Sequence, residues 1–215
     1  MPSSSNPLIY LASASPRRSA LLTQIGVPHR ISPVDIDEGE RPQEAPSDYV
    51  IRLAKAKADA LWQRLLENER LPVLGSDTTV ALGETILGKP ASRADGLAML
   101  HRLSGKTHQV YTGVALRSAD GIDARLSVSD VTFRVLKETE IEAYWSTGEP
   151  ADKAGGYAVQ GRAAVFIERI SGSYSGVVGL PLFETASLLA CVGWTVSGSA
   201  SDIRSSLQGA RGVAR

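Results

Sequence analysis

Residues 8–22 read LIYLASASPRRSALL, and this stretch indicates an α/β fold. The apolar run at residues 8–11 is typical of a buried strand. Ser15 is a good N-cap, Pro16 fits the first helical turn, and apolar residues then recur with helical spacing. A strand, a turn of small residues and a helix therefore follow one another within a short stretch.

The rest of the chain continues this alternation. Apolar spacing predicts one helix from about residue 47 to 65 and a last long helix over 181–191, with Ser92 capping a third between them. Runs of apolar and β-branched residues predict strands at 73–82, 107–117, 124–135 and 163–170. Within 124–135 the apolar parity changes after Val128, which predicts a β-bulge. Because some neighbouring strands look antiparallel, we expect a mixed sheet flanked by helices.

Length and composition fit one α/β domain. The chain has 215 residues, of which 43% are hydrophobic and 21% charged, and its formal net charge is zero. A core of useful size is therefore possible, whereas generic binding to nucleic acid has no electrostatic support. We expect a single domain over residues 8–197, a flexible arm over 1–7, and a mobile tail rich in Ser, Gly, Ala and Arg over 198–215.

The sequence carries no sign of export or membrane insertion. Its N-terminus lacks the basic region and long apolar core of a signal peptide, and no apolar run reaches about 18 residues. The single cysteine, Cys191, cannot form an internal disulfide, and its apolar neighbours predict a small buried hydrophobe. These features predict a cytoplasmic protein without a membrane partner.

The predicted helix start at Ser13–Arg18 is a candidate anion site. Unpaired N–H groups and the positive end of the helix dipole both favour phosphate. Arg17 and Arg18 oppose that dipole, and an anion bound in their guanidinium forks would explain them. The alternative is an ordinary capped helix with solvated arginines.

Asp77 is the second candidate, because its carboxylate lies within the apolar strand 73–82. Such a buried charge is costly unless it is paired, hydrogen-bonded or bound to a metal, and it often marks a functional site. Gly75 would let a ligand approach the strand closely. The alternative is a structural acid bonded to a neighbouring turn.

Residues 83–90, GETILGKP, nearly match the phosphate-binding P-loop pattern, but we reject that interpretation. Pro90 replaces the hydroxyl residue that would bind Mg²⁺, and Glu84 would face the phosphates. Lys89 is either a point charge that reaches a phosphate or a surface lysine in a turn.

Two further stretches suggest binding chemistry. The acids of Asp35–Glu38 suit Mg²⁺ or Mn²⁺ completed by phosphate oxygens, or they form a solvated acidic loop. Residues 152–161, DKAGGYAVQG, combine glycines with Tyr157 for stacking on a nucleobase and Gln160 for hydrogen bonds to its edge. An ordinary glycine-rich loop is the alternative there.

Together these stretches resemble the Maf family, also called septum-formation inhibitor-like proteins. The resemblance follows the family's order from about residue 8 to 190. Its motifs are LASASPRR (11–18), YVIRLAKAKA (49–58), LGSDT (74–78), GKP (88–90), LSG (103–105) with His108 and Thr112-Gly113, EPADKAGGY (149–157), and GSY (172–174) with VVGLPL (177–182).

The resemblance implies a fold like the inosine triphosphate pyrophosphatases, with an elongated mixed sheet and two lobes around a central cleft. It implies hydrolysis of nucleoside triphosphates to the monophosphate and pyrophosphate with a divalent metal, Mg²⁺ or Mn²⁺, and a homodimer. The family's catalytic acid falls on Asp77, which would also bind the metal with Glu38. Its phosphate-binding and metal-site positions fall on Ser13, Arg18, Glu38, Lys57 and Lys89.

The family's specificity positions fall on Arg17, Thr78 and Gln160, which look like the branch acting on dTTP and UTP. Ala158 stands where family members usually carry Gly, and its methyl group beside the base site could alter substrate preference. Two alternatives stay open: a 7-methylguanosine triphosphate pyrophosphatase, and a nucleotide-binding regulator of septum formation that needs no catalysis.

Overall fold

The computed structural model describes residues 8–196, so the predicted arm over 1–7 and tail over 198–215 lie outside the described residues. Its helices and strands follow in this order: β1 Ile9–Leu11, α1 Pro16–Gln24, β2 His29–Ile31, α2 Pro46–Arg64, β3 Val73–Leu82, β4 Thr85–Leu87, α3 Arg93–Leu103, β5 Thr107–Ser118, β6 Gly121–Phe133, α4 Glu138–Trp145, β7 Ile167–Ser171, α5 Tyr174–Val178 and α6 Leu182–Ala190. Short 3-10 turns lie at Glu67–Glu69, Glu149–Asp152, Ala154–Gly156 and Arg162–Phe166. None of the helices in this part of the chain is long and apolar enough to cross a lipid bilayer.

The strands form one mixed sheet flanked by helices, as the sequence predicted. Its order is β2-β1-β3-β5-β6-β7, with β4 added to one end of β3. β1 runs parallel to β2 and β3, and the remaining pairs are antiparallel. Helix α2 covers one face of the long strands, and α5 and α6 pack on the other.

One edge of β3 is paired at its two ends and unpaired between them. β1 pairs with Val73 and Leu74, and β4 pairs with residues 80–82. Residues 75–79 have no strand partner on this edge within the part of the chain that the structure describes. The chain leaves β1 at Ala12 and turns into α1, so the unpaired edge opens into a cleft.

Two large hydrophobic clusters lie at opposite ends of β3. The first packs α1 and α6 against the sheet and includes Leu74. The second packs α3 and α4 against the far ends of the long strands and includes Val80. Asp77 therefore lies between the two clusters, beside the cleft, and β3, β5 and β6 connect them. A smaller cluster under α2 contains Trp62.

Two glycines let α2 lie directly on the sheet. A Cβ atom at Gly75 would stand 2.3 Å from the carbonyl oxygen of Ala54, and one at Gly113 would stand 2.4 Å from that of Val50. These distances leave no room for a side chain, so helix backbone and strand backbone are in contact here. This close approach brings Lys57 of α2 to Asp77 of β3.

The bulge predicted within 124–135 is not at the parity change after Val128 but further along β6, at its pairing with β7. β6 pairs with β5 without interruption, and the only register shift among the described strands that involves β6 faces β7, at Thr132 and Phe133. Leu126 and Val128 are 38% and 44% exposed, whereas the alternate residues from Ser127 onward face inward. The inward positions 127 and 129 are serines, because only small side chains fit where α5 approaches the strand closely. Their polarity made the inward face of β6 look like the outward one.

Cys191 is exposed, so the prediction that it is buried is wrong. It follows the last residue of α6, whose buried residues are Thr185, Leu188 and Leu189. The strand predicted over 163–170 begins instead as a 3-10 turn and becomes extended only at Ile167.

Candidate active site

A cleft of about 650 Å³ opens along the unpaired edge of β3. Its walls come from the turn after β1, the acidic loop before α2, β3 itself, the segment after β4 and the glycine-rich segment at 152–160. It brings together every residue predicted for the site: Ser13, Arg17, Arg18, Glu38, Lys57, Asp77, Thr78, Lys89 and Gln160. Their individual roles remain predictions.

The unpaired edge lets the cleft reach both faces of β3. Successive strand residues point to opposite faces, so Asp77 and Thr78 diverge. Asp77 contacts Lys57 of α2 on one face, and Thr78 contacts Arg18 of α1 on the other. A ligand at the edge can therefore meet both groups, which a fully paired strand would keep apart.

Lys57 lies between the two carboxylates of the site. Its Nζ is 2.7 Å from Asp77 Oδ1 and 2.6 Å from Glu38 Oε1. The side chains of Lys57 and Asp77 are only 11% and 10% exposed, whereas that of Glu38 is 47% exposed. The acid inside β3 is thus paired with a lysine, which offsets the cost of its burial.

The surroundings keep Glu38 charged. Partial burial acts to raise its pKa, but the hydrogen bond and charge of Lys57, together with the charges of Lys89 and Arg18, outweigh burial and lower the pKa below its ordinary value. Glu38 is therefore a carboxylate at neutral pH, as a ligand for a hard cation must be.

Tyr49 also lines the cleft, although the sequence analysis did not single it out as a site residue. Its hydroxyl donates a hydrogen bond to the carbonyl oxygen of Glu38 at 3.0 Å. Burial, followed by the charges of Asp77 and Glu38, raises the pKa of Tyr49 to about 12. Tyr49 is thus a neutral donor. Tyr49 could have been predicted as a site residue, because its spacing from Lys57 along α2 puts both side chains on the same face of the helix.

Arg52 and Glu44 hold the acidic loop that carries Glu38. The Arg52 guanidinium donates two hydrogen bonds to the Glu44 carboxylate at 2.5 and 2.6 Å and one to the Gly39 carbonyl at 2.9 Å. The hydrogen bond from Arg52 is the main cause that lowers the pKa of Glu44 to about 2. Neither residue was predicted, because their contact depends on the path of the loop.

Arg18 is fixed by three hydrogen bonds. Its Nε donates to the Gly179 carbonyl at 2.8 Å, its Nη1 to Ser13 Oγ at 3.1 Å and its Nη2 to Thr78 Oγ1 at 3.3 Å. Gly179 has a φ of +128°, a backbone conformation that favours glycine. Burial lowers the pKa of Arg18 and the charge of Asp77 opposes that change, yet a guanidinium remains charged.

The start of α1 leaves its backbone donors available. Ser15 occupies the N-cap position, as predicted, but its side chain makes no capping hydrogen bond. Ser13 Oγ accepts a hydrogen bond from the Ser15 N–H at 3.2 Å instead. No side chain therefore caps the helix, and the first turn faces the cleft with Arg17.

The glycine-rich segment forms the opposite wall and is anchored from behind. The Gly155 N–H donates to the Gly88 carbonyl at 3.0 Å, and the Ala158 N–H donates to the Tyr144 hydroxyl at 3.1 Å. Tyr144 in turn donates to Glu149 at 2.7 Å. Gln160, at the end of this wall, is exposed, and it also shares a smaller hollow with Arg17.

His108 supports this wall from the core and does not line the cleft. It is fully buried, its Nε2 lies 2.9 Å from the Tyr157 hydroxyl, and its ring packs edge-on against Phe133. Burial lowers the pKa of His108 to about 4. The imidazole is therefore neutral at pH 7.

The stretch that resembled a P-loop is a hairpin, which confirms its rejection. Gly83, with a φ of +63°, and Glu84 turn β3 into the antiparallel β4. Lys89 follows β4 and lines the cleft as a point charge. Lys153, which the sequence analysis did not select, also lines it and forms an ion pair with Asp152.

Glu38 and Asp77 are the cleft carboxylates that we expect to hold a divalent cation. Oxygen donors of this kind suit Mg²⁺ and Mn²⁺. Residues 8–196 contain no cluster of three or more His, Cys, Asp or Glu side chains placed to hold a metal. The protein would therefore supply two carboxylate ligands, and water or phosphate would complete the shell.

Sequence comparisons agree on one family. The family described as "Maf-like protein" matches residues 8–192. The "dTTP/UTP pyrophosphatase" of Alkalilimnicola ehrlichii is 57% identical over 186 residues, which cover 85% of this chain and 92% of that protein. Proteins of the same name from Hahella chejuensis and Nitrosomonas europaea are each 52% identical, over 84% and 87% of this chain and 90% and 96% of their own lengths.

Among solved structures, the Staphylococcus aureus Ham1 protein is a distant neighbour. It is 14% identical, with a TM-score of 0.41 over 58% of this chain and 71% of its own. The family match, by contrast, spans all but a few of the residues that the structure describes. That match and the identities above 50% show that this chain belongs to the Maf family.

Proposed function

We propose that this protein hydrolyses dTTP and UTP to the nucleoside monophosphate and pyrophosphate. The observation that carries the proposal is the placement of Asp77, paired with Lys57, in the same cleft as Arg17 and Arg18. The choice of dTTP and UTP rests on the names of its relatives, and the cleft contains groups suited to the reaction.

The charges of the cleft support binding of a triphosphate. Cations at Arg17, Arg18, Lys57, Lys89 and Lys153 exceed the carboxylates at Glu38, Asp77 and Asp152. The fixed guanidinium of Arg18 offers a preorganised donor, and the lysines act as point charges. A non-catalytic binder of anions would have no use for two carboxylates beside the phosphates.

Asp77 is the residue that we assign to the chemical step. A water molecule attacks the α-phosphorus, its proton passes to the Asp77 carboxylate, and the bond from that phosphorus to the α–β bridging oxygen breaks. Pyrophosphate leaves with that oxygen. A divalent metal bound by Glu38 and Asp77 would supply charge stabilisation for the leaving group. Lys57 and Arg18 hold neighbouring phosphate oxygens in place.

Recognition of the base is assigned to Arg17, Thr78 and Gln160. The exposed amide of Gln160 can both donate and accept hydrogen bonds at a pyrimidine edge. Thr78 accepts from Arg18 at 3.3 Å and lies 3.0 Å from Thr112 Oγ1, so its hydroxyl is oriented before a ligand arrives. In this proposal the enzyme acts on the cytoplasmic nucleotide pool as a homodimer.

A pyrophosphate-release assay tests the proposal. Purified protein is incubated with dTTP, UTP, dCTP or 7-methylguanosine triphosphate, with Mg²⁺ or Mn²⁺. We expect dTTP and UTP to be the best substrates. Asp77→Asn should lower turnover by roughly 10²-fold or more and should still fold. Preference for 7-methylguanosine triphosphate would favour the other branch, and nucleotide binding without pyrophosphate release would favour a regulator.

A further inference from the structure

We propose that Lys57 keeps the carboxylate pair closed to free divalent metal, so that the metal enters together with the triphosphate. The triphosphate comes from the proposed function. The claim about Lys57 concerns metal binding to the nucleotide-free protein, and it can be measured without turnover.

The first support is the position of the ammonium group. Lys57 Nζ contacts Asp77 Oδ1 at 2.7 Å and Glu38 Oε1 at 2.6 Å, so it already occupies the space between the two carboxylates that would hold a metal. Magnesium binds oxygen at about 2.0–2.1 Å. An ammonium and a dication cannot share this position, because both need contact with the same oxygens and they repel each other.

The second support is the shortage of other ligands. Mg²⁺ requires near-octahedral coordination, and residues 8–196 bring no third His, Cys, Asp or Glu to this pair. The Asp37 carboxylate, although close in sequence, accepts a hydrogen bond from the Gly39 N–H at 2.9 Å and does not line the cleft. A free metal ion would therefore have to displace an ammonium and would gain only two protein ligands, with water in its remaining positions.

A bound triphosphate removes both obstacles to metal binding, the position of the ammonium group and the shortage of ligands. Its oxygens complete the coordination shell of the metal, and they also offer the Lys57 ammonium a new anionic partner. Both polar contacts that the structure gives the Lys57 ammonium are to these carboxylates, and its four-carbon stem is flexible, so Nζ is able to move to a phosphate. Arg18, held by three hydrogen bonds, is not free to exchange in this way.

The test is a titration of nucleotide-free protein with Mn²⁺ alone, followed by the electron paramagnetic resonance signal of free Mn²⁺. Wild-type protein should bind weakly. Lys57→Met keeps an unbranched apolar stem of the same length but removes the ammonium group, and it should bind Mn²⁺ roughly tenfold more tightly or better. At an effective dielectric constant of about 20, repulsion between an ammonium and a dication about 4 Å apart exceeds what a tenfold change requires.

Lys55→Met is the matched control. Lys55 is exposed on the same helix, so this variant loses the same charge away from the carboxylates. It should change Mn²⁺ affinity by less than about twofold, because solvent screens exposed charges. An equal gain in Lys55→Met, or no gain in Lys57→Met, would overturn the proposal.

A second measurement uses wild-type protein and guards against misfolding of Lys57→Met. Mn²⁺ affinity is compared with and without an α,β-methylene analogue of dUTP, which cannot release pyrophosphate, and the Mn²⁺ bound by the analogue in the absence of protein is measured separately and subtracted. We expect at least about tenfold tighter binding with the analogue. Tight binding without it, with a Kd of about 10 μM or less, would overturn the role of Lys57. Failure to hydrolyse dTTP and UTP would instead overturn only the proposed function.

Discussion

Gly75→Ala tests whether the contact between α2 and β3 positions the site. The added Cβ would stand 2.3 Å from the Ala54 carbonyl oxygen and 2.8 Å from the Ala58 nitrogen, both backbone atoms. Ordinary contact begins at 3.4 Å, so α2 must retreat by about 1.1 Å at this point. Lys57, one residue before Ala58, would retreat with it from Asp77.

The structure gives two magnitudes for this change. Overpacking of a dense core lowers the free energy of unfolding by about 1–3 kcal/mol, and rigid backbone atoms place Gly75→Ala near the upper value. For a chain of this size that corresponds to a fall in Tm of about 6–12 °C. A displacement of about 1 Å within a preorganised site lowers the rate by roughly 10²-fold.

The assay combines thermal unfolding with pyrophosphate release from dTTP, measured well below the Tm of the variant. Gly88→Ala is the stability control, because nothing lies within 4 Å of its Cβ position and its φ is not in the left-handed region. Its Tm should stay within about 2 °C of wild type. A Gly75→Ala protein with wild-type Tm and wild-type kcat/KM would refute this account of the helix contact.

Two further changes probe the phosphates and the acidic loop. Lys89→Ala should raise the KM for dTTP by about tenfold with little change in Tm, because its charge lines the cleft outside the core; unchanged kinetics would make Lys89 a bystander. Glu44→Gln should lower the free energy of unfolding by about 1 kcal/mol at pH 7, because the Arg52 and Glu44 side chains are only 19% and 8% exposed and solvent screens their ion pair incompletely. The pKa of Glu44 in the folded protein, about 2, is below its value in the unfolded chain, so the stability it contributes is present above about pH 4.5 and lost as the pH falls toward 2. Urea unfolding at pH 7 and pH 3 should therefore show a smaller difference between variant and wild type at the lower pH, and a constant difference would contradict the role of this ion pair.

The sequence predicted the larger elements better than the small ones. β3 was predicted with the bounds that the structure has, because a continuous apolar run gives a strong signal. β2 and β4 were missed because each begins with a polar residue, so neither shows the unbroken apolar run that marked the equally short β1. β4 matters for the site, because it pairs with only one end of β3 and so defines the length of the unpaired edge.

The site residues were predicted mainly through the family resemblance, and the structure places all of them in one cleft. From residue chemistry alone, a purely structural or surface role remained an alternative for Arg17, Asp77 and Lys89. The Arg52–Glu44 pair and the bond from Arg18 to the Gly179 carbonyl were not predicted. Both join segments through the folded path of the backbone, and no local pattern encodes that path.

The strands that connect the two hydrophobic clusters have a consequence for engineering. The turn at Ser13–Arg18 stands on the first cluster. In the 152–160 wall, Ala154 and Tyr157 pack on the second cluster and Val159 on the first, and β3, β5 and β6 run between the two clusters. The continuous hydrogen bonding between these strands therefore fixes the distance across the cleft. A bulkier base should therefore be admitted by shortening side chains on the 152–160 wall. Changing the distance between the two walls of the cleft would require changing the strands themselves.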